Sequence, residues 1–346
     1  MVQIYPALIR HERPVCSVCI ANFNGVELLA DCVDSVLGQS HEFDVEIIIH
    51  DDASTDESVS FLRARYPQVH ILASEINVGF CISNNRMADY ARGEFLLLLN
   101  NDAALLPDAL RSLLDHARSQ TSQGILTLPQ FDWRTGELVD RGCFLDYFYN
   151  PIPNDSAQTT DVAMVIGACL WISRSLWTSL GGLPAWMESI AEDMYLCCQV
   201  RLLGLPVQTT TTSGYRHWQG KSFSGERPTT GLQSSFRRRR LSERNKTYVM
   251  AVMTPSPVMW PLLGLHLAQL LVEGFLLSIV KLDFDILKRI YMPAILDVIR
   301  NISLWREHRH YNQQMRECSI QEYLGPMQLF PHKLRLVRKH GLPRIS

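Results

Sequence analysis

Acidic residues stand where two runs of strand-forming residues stop. Asp51-Asp52 closes the run Ile47 to Ile49 inside IIIHDDASTD, and Asn101-Asp102 closes Phe95 to Leu99 inside FLLLLNNDAALL. Both runs are short, apolar and bounded by polar residues, the pattern of buried strands. In open α/β sheets, ligands bind at the carboxyl ends of the strands, where loops replace the hydrogen-bonded ladder. Two such ends carrying carboxylates make a site suited to a metal and a diphosphate. The chemistry indicated is chemistry on a nucleotide-activated substrate.

Strands and helices alternate around these pairs. The expected order is strand Val15 to Ile20, helix Val26 to Leu37, strand Val45 to Ile49, and a helix near Glu57 to Arg65. A strand at Val69 to Leu72, a helix at Cys81 to Ala91 and the strand Phe95 to Leu99 follow. A helix over 107–119 comes next, with Pro107 suited to its first turn. Such alternation implies a mostly parallel sheet covered by helices. Further on, Val162 to Trp171 reads as a strand, Arg174 to Leu180 as a short helix and Ala191 to Leu203 as a longer one. The segment from Gly214 to Ser235 is rich in Gly, Ser and Thr and reads as a mobile loop.

The chain has 346 residues, 47% hydrophobic and 20% charged, which suits one or two globular domains rather than a disordered chain. Its net charge of −2 hides an asymmetry. Residues 1–236 hold 15 Lys+Arg against 27 Asp+Glu, a net of −12, whereas 237–346 hold 18 against 8, a net of +10. A basic tail on an acidic body suits an anionic partner such as lipid head groups or nucleic acid, or a set of solvated helix faces. The N-terminal stretch MVQIYPALIRHERPVCSV is too polar for a secretory leader. The nine cysteines read as reduced thiols of a cytosolic protein, with Cys197 and Cys198 adjacent on a helix.

After Arg237 the character changes. Ser235 to Val252 reads as a basic helix and Pro261 to Val280 as a strongly apolar one. His266, Gln269 and Glu273 share one narrow stripe of the latter at helical spacing, and a charge at the centre of a spanning helix is costly. The stretch therefore reads first as a helix in the membrane interface, then as one buried against protein, and last as a bilayer span. The expected division is 1–235 as the enzyme-like body and 236–346 as a helical, basic and apolar extension.

Two common nucleotide sites are absent. The first strand runs into Ala21-Asn22-Phe23-Asn24-Gly25 with one glycine, not G-x-G-x-x-G, and no Walker A loop occurs. Instead VCSVCIANFNG, IIIHDDASTDES, INVGFCISNN, LLLLNNDAALL, GACLWISR, GGLPAWMESIAEDMYLCCQVRLLG and HWQGKS follow one another in a fixed order. This series, over about residues 14–250, resembles the motifs of family 2 inverting glycosyltransferases of the GT-A fold. Its NVGF and LNND forms are most similar to bacterial rhamnosyltransferase-like enzymes of envelope polysaccharide assembly.

The resemblance implies a role for each matching position. Asp52 accepts hydrogen bonds from the nucleotide base and Asp51 supports that turn; a helix N-cap before Ser54-Thr55 is the structural alternative. Ala21 and Phe23 occupy nucleotide contacts, with Phe23 able to stack on the base. Asn77, Gly79 and Asn84 shape the nucleotide-sugar pocket, Gly79 by letting backbone approach closely. Asp102 holds Mg²⁺ or Mn²⁺, with Asn101 beside it able to offer an amide oxygen and His217 completing the metal site or touching the diphosphate. Asp193 is the catalytic base and Glu192 flanks it, although paired acids in a first helical turn also suit the macrodipole. Closure of the Gly-rich loop after His217, through Lys221 and Ser222, excludes water.

Trp186 and Trp218 are candidate sugar platforms or core residues. Arg240 and Arg244, in the basic cluster of Arg237 to Arg240 with Arg244 and Lys246, are candidates for an acceptor phosphate or lipid head groups. The chain departs from the family where Asn100 and Asn101 replace common acids, at Tyr195, and in the loop GGLPAWMES.

The implied protein is an α/β enzyme with a C-terminal membrane-associating helical extension. It moves a sugar from a nucleotide diphosphate donor, dTDP-rhamnose or a UDP-sugar, to a hydroxyl of a lipid-linked glycan. It would sit at the inner face of the plasma membrane, bind no nucleic acid, and be able to pair with a second copy through its C-terminal helices. Two alternatives remain: a non-catalytic nucleotide-sugar or glycan-binding assembly partner, and a sugar-phosphate nucleotidyltransferase.

Overall fold

The computed structural model describes residues 1–9, 11–40, 42–218, 233–342 and 344–345. Its first half contains β1 (Val2–Tyr5), β2 (Cys16–Asn22), α1 (Val26–Leu37), β3 (Val45–Asp51), α2 (Ser58–Arg65), β4 (His70–Ser74), α3 (Phe80–Tyr90) and β5 (Phe95–Asn100). Every strand and helix anticipated up to residue 100 is present within two residues of its expected ends. β6 (Ala103–Leu105), α4 (Ala109–Ser119) and β7 (Ile125–Thr127) follow. Pro107 lies outside α4, because Asp108 takes a left-handed backbone (φ 60) and the helix begins only at Ala109.

β8 (Gln130–Asp132), β9 (Leu138–Asp140), β10 (Cys143–Asp146) and β11 (Pro151–Pro153) lead to β12 (Cys169–Ser173), α5 (Arg174–Leu180) and α6 (Glu192–Leu202). β13 (Val207–Thr209) and β14 (Tyr215–His217) complete this part. The strand expected over 162–171 is therefore mostly irregular. Val162 and Met164 bond to the backbone of Val207 and Cys143 instead, and only 169–173 join the main sheet. The expected loop over 214–235 begins with a strand, and residues 219–232, with Lys221 and Ser222, lie outside the described residues.

The main sheet runs β1-β4-β3-β2-β5-β12-β7-β13. β4, β3, β2 and β5 are parallel, with Ala21 beside both His50 and Asn100 and Asn22 beside Asp51. That register brings Asp51-Asp52 and Asn101-Asp102 to one edge, on either side of the end of β2. β12 lies antiparallel to β5. A smaller sheet, β6-β14-β8-β9, stands beyond β5 and carries His217.

Strand alternation sorts the side chains between two cores. Cys16, Val18 and Ile20 enter one hydrophobic cluster with α1 and α4, while Cys19 enters the other, on the opposite face. The C-x-x-C spacing of Cys16 and Cys19 is thus divided by the sheet. All nine cysteines are buried free thiols.

Past residue 232 come β15 (Gln233–Ser234), α7 (Phe236–Met253), α8 (Met259–Lys281), a π-helical turn at Leu287–Tyr291, α9 (Met292–Arg300) and α10 (Ile302–Gln314). α11 (Ile320–Leu324), β16 (Met327–Gln328), α12 (His332–His340) and β17 (Arg344–Ile345) end the chain. The second cluster passes through residue 235 without a break: it joins Cys19 and Leu98 to Val249, Met253, Trp305 and Tyr323. α7 carries a burial pattern its composition conceals, since Glu243, Asn245, Lys246 and Thr247 are all buried. Glu243 lies between Arg239 (3.3 Å), Lys246 (2.8 Å) and Lys333 of α12 (2.7 Å).

α8 turns its polar stripe inward. His266 Nε2 lies 2.9 Å from Thr247 Oγ1, and Glu273 binds Arg239 and Lys333, each at 2.8 Å. Gly274 permits this docking, because an added Cβ would lie 2.7 Å from the Tyr291 ring. The outward face is apolar along its length and includes Trp260, Leu265, Leu271, Phe275, Leu276 and Val280, each at least 45% exposed. By length and composition alone α8 is also long enough to cross a membrane.

Candidate active site

The cleft at the ends of β2, β3 and β5 is organised by a residue that sequence reading passed over, Asn22. Its Nδ2 donates to Asp51 Oδ2 (2.9 Å) and its Oδ1 accepts from Asn101 Nδ2 (2.8 Å). One buried amide therefore ties together the loops after β3 and β5. In the sequence the position lies two residues past the expected strand Val15 to Ile20, and an Asn after a strand is common in loops of every kind. Asp51 also accepts from the backbone N–H and hydroxyl of Ser54 (3.0 and 2.7 Å), so it both caps the local turn and joins the network.

Asp52 faces the next loop. Its two oxygens accept the N–H groups of Val78 (2.7 Å) and Gly79 (2.8 Å). Gly79 has φ +85, a conformation L-residues avoid, which fixes the NVGF turn at the mouth of α3. The carboxylate therefore builds the wall of the pocket with part of its acceptor capacity. Asn77 is exposed just before this turn, and Asn84 is buried with its Nδ2 bonded to Phe80 O one turn back (2.9 Å). Ala21 is the penultimate residue of β2, and Phe23, half exposed, stands on the following loop.

Asp102 and His217 meet across the two sheets. His217 Nε2 is 3.1 Å from Asp102 Oδ1, with the Asp102 side chain fully buried and His217 nearly so. β14 pairs antiparallel with β6, placing His217 beside Ala103. His217 Nδ1 is buried and has no hydrogen-bond partner among the described residues. Trp218 N–H donates to Asp102 O (3.0 Å), and the Trp218 ring stacks on Trp133 at 5.2 Å. Among the described residues no group of three or more His, Cys, Asp or Glu side chains gathers as a complete metal cage.

Asp193 joins the same cleft through the chain preceding β12. Ala168 O accepts from Asn100 N (3.0 Å), and Gly167 N–H donates to Asp193 Oδ2 (3.0 Å). The base candidate is thus one residue removed from the strand end that carries Asn100 to Asp102. Asp193 Oδ1 also accepts from Met194 N (2.7 Å).

Burial raises the pKa of both acids of the pair. Glu192 is pushed up by burial and then by the charge of Asp193, to about 8. Asp193 is raised by burial, opposed by the N–H groups of Gly167 and Met194, which favour its ionised form. Two adjacent buried carboxyls cannot both ionise cheaply. The N–H groups of Gly167 and Met194 favour the ionised form at Asp193, whereas burial and the charge of Asp193 favour the protonated form at Glu192.

The loop before this pair is held by α7. Asn245 Nδ2, fully buried, donates to the carbonyls of Met187 (2.9 Å), Ser189 (2.9 Å) and Ile190 (2.8 Å). Glu188, Ile190 and Ala191 all have positive φ in this loop. Arg244 pairs with Glu188 (3.0 Å) and donates to Met187 O (3.3 Å), so its guanidinium is spent on the loop. Arg240 lies on the same helix, part exposed. Trp186 packs edge-on to Tyr248 (5.2 Å) and Tyr195 (6.0 Å) and against His308 (5.0 Å), inside an aromatic cluster.

The model of glycosyl transferase family 2 matches residues 17–180. The chain is 29% identical over 188 residues to chondroitin synthase of Escherichia coli, covering 53% of this chain and 26% of that protein. It is 32% identical over 107 residues to a putative teichuronic acid biosynthesis glycosyltransferase of Bacillus subtilis, covering 30% of this chain and 42% of that one. The match therefore spans about a quarter to two fifths of these relatives. Among solved structures, GalNAc-T7 with UDP, GalNAc and Mn²⁺ superposes with a TM-score of 0.59 at 14% identity, covering 97% of this chain and 60% of that one. S. aureus TarS 1-349 in complex with UDP-GlcNAc gives 0.58 at 15% identity, covering 90% of each. These likenesses show a shared fold, the α/β GT-A sheet that the motif order implies.

Proposed function

Because residues 17–180 belong to glycosyl transferase family 2, we propose that the chain transfers a sugar, with inversion, from a nucleotide diphosphate sugar to a hydroxyl of a growing glycan. The observation that carries this reading is the link from Asp193 through Gly167 and Ala168 to Asn100, which sets a part-buried carboxylate beside the Asn101-Asp102 loop after β5.

Asp193 acts as general base. As the acceptor oxygen attacks the anomeric carbon, its proton passes to the Asp193 carboxylate. The bond from that carbon to the diphosphate oxygen breaks, and nucleoside diphosphate leaves from the opposite face. Positioned proton transfer of this kind contributes roughly 10²–10⁴-fold. Glu192, holding its proton, leaves Asp193 as the sole charged member of the pair. Asp51, Asp52 and Phe23 line the nucleotide end, with Asn77, Gly79 and Asn84 shaping the wall around the sugar.

Asp102 and His217 fit a divalent ion, Mg²⁺ or Mn²⁺. Asp102 Oδ1 and His217 Nε2, both buried and 3.1 Å apart, offer an oxygen and a nitrogen ligand to one ion, and a two-ligand protein site suits an ion that takes much of its shell from substrate phosphates. When bound, such an ion neutralises charge on the departing diphosphate. Mn²⁺ in the solved relative's complex supports this assignment.

The acceptor in this reading is a lipid-linked glycan of envelope polysaccharide synthesis, met at the inner face of the plasma membrane. The apolar outer face of α8, with its polar stripe turned into the protein, supports a peripheral rather than spanning placement. dTDP-rhamnose and UDP-sugars are the donors to test first. A thermal-shift screen of nucleotide diphosphate sugars with and without Mn²⁺ tests the reading, since a ligand that binds the folded state raises its apparent stability. A donor that stabilises only with the metal supports it. Release of pyrophosphate instead of nucleoside diphosphate would identify a nucleotidyltransferase, and binding without turnover an assembly partner.

A further inference from the structure

The apolar face of α8 ends at a cavity that the catalytic reading does not use. The first turn of α8 and helix α10 border an open hollow of about 550 Å³, lined by Trp260, Trp305, Arg306, Arg309 and Arg316 with neutral residues and one histidine between them. No Asp or Glu is in the lining, and none of the three guanidiniums pairs with a carboxylate among the described residues. Three arginines sharing one hollow without an acid make an uncompensated positive field.

The wall is built rather than incidental. Arg309 is fixed against the end of α7, donating from Nη1 to Ala251 O (2.9 Å) and Thr254 O (2.7 Å) and from Nη2 to Ser256 Oγ (2.7 Å). Burial, and then repulsion from Arg316, lowers its pKa from the usual guanidinium value. Arg316 Nη1 is buried and has no hydrogen-bond partner among the described residues. Trp305 is anchored by its Nε1 to Val298 O (3.0 Å), and its ring meets Trp260 at 6.4 Å.

We propose that this cavity binds the phosphate of an anionic lipid head group, with the acyl chains lying along the exposed face of α8. Guanidinium groups match phosphate oxygens in bidentate geometry. Tryptophan favours the depth at which head groups meet hydrocarbon. The apolar stripe from Trp260 to Val280 begins at the cavity wall, so a free phosphate would leave that stripe uncovered whereas a lipid covers both. The inference deepens the peripheral placement proposed above and rests on it.

The test uses the full chain, the double variant Arg306→Gln/Arg316→Gln, and vesicles of phosphatidylcholine with or without phosphatidylglycerol, alongside inorganic phosphate. Arg309 is left intact because it holds the end of α7. Wild type is expected to sediment with phosphatidylglycerol vesicles, and the double variant to bind them about tenfold or more weakly. Binding to pure phosphatidylcholine and nucleoside diphosphate release in solution are expected to stay unchanged. Equal affinity of variant and wild type for phosphatidylglycerol vesicles overturns the site. So does Arg-dependent stabilisation by inorganic phosphate without any vesicle binding, which would mark a soluble anion. A chain that shows the vesicle difference yet transfers no sugar would retain this site and lose the catalytic reading, so the two failures are distinguishable.

Discussion

Asn245 and Ile190 stand 55 residues apart in the chain, yet the Asn245 side-chain amide donates to the Ile190 carbonyl at 2.8 Å. The same amide shares its two N–H groups with the carbonyls of Met187 and Ser189. Helix α7, from the basic C-terminal part, therefore fixes the backbone that delivers Glu192 and Asp193. The C-terminal helices are thus part of the scaffold of the proposed active site as well as a surface.

Replacing that amide exposes the coupling. Asn245→Ala removes the side-chain donor to the Ser189 and Ile190 carbonyls, while Met187 O keeps Arg244, at a cost of about 1–3 kcal/mol. A small displacement of the base is expected to lower kcat about 10- to 100-fold. Donor affinity, measured by calorimetry, should remain near wild type, since the nucleotide wall is built by Asp51, Asp52 and Gly79. An unchanged kcat would show that the loop holds its own shape.

The acid pair has a pH signature of known sign. Glu192, raised from 4.5 to about 8, keeps a proton in the folded chain that the unfolded chain has lost. Stability therefore falls as pH rises from about 4.5 to about 8 and the penalty is complete above that. Glu192→Gln removes it. The variant's Tm is expected to match wild type near pH 4.5 and to exceed it increasingly toward pH 8. Because Gln mimics the protonated acid, the variant should retain transfer within about tenfold, a small fraction of the 10²–10⁴ associated with losing a general base. A Tm difference that does not change with pH would contradict the assignment of the proton.

Asp102 and His217 are expected to separate by degree. Asp102→Asn should abolish metal-dependent turnover to within the assay limit. His217→Ala should raise the Mn²⁺ concentration for half-maximal turnover about tenfold or more, because one ligand is lost while the carboxylate and substrate phosphates remain. Metal titration of initial rates checks both. Identical titration curves for His217→Ala and wild type would remove the histidine from the ion's shell.

Much of this arrangement was legible in the chain because local pattern and tertiary position agree. The apolar runs Ile47 to Ile49 and Phe95 to Leu99 could only be buried strands, and their register follows from neighbouring parallel strands of similar length. What stayed hidden depends on contacts between distant segments. Asn22 bridges two loops, a role no feature of its own neighbourhood announces. Trp186 looked equally suited to sugar and core, and its partners Tyr195, Tyr248 and His308 come from three other helices. Val162 to Met164 has strand composition, but its backbone bonds divide between Val207 and Cys143, so no regular ladder forms.

The basic helix was the most deceptive segment. Its charges read as solvated or lipid-facing, yet Glu243 is enclosed by Arg239, Lys246 and Lys333. Those acids come from the same helix and those cations partly from α12, a pairing that composition cannot reveal. Glu243→Gln leaves the cations facing one another without their shared carboxylate. A loss of about 3–5 kcal/mol is expected from breaking a buried network by one partner. Urea denaturation measures it, and a change under about 1 kcal/mol would mean that the network is solvated in solution.

The most direct measurement follows nucleoside diphosphate release from a stabilising donor, with Mn²⁺ and a glycan acceptor, for wild type and Asp193→Asn, together with the anomeric configuration of the product. The account predicts an inverted product from wild type and a fall of at least about 10² in rate for Asp193→Asn, with donor binding retained. Equal rates for the two proteins, or a product that keeps the donor's configuration, would contradict it.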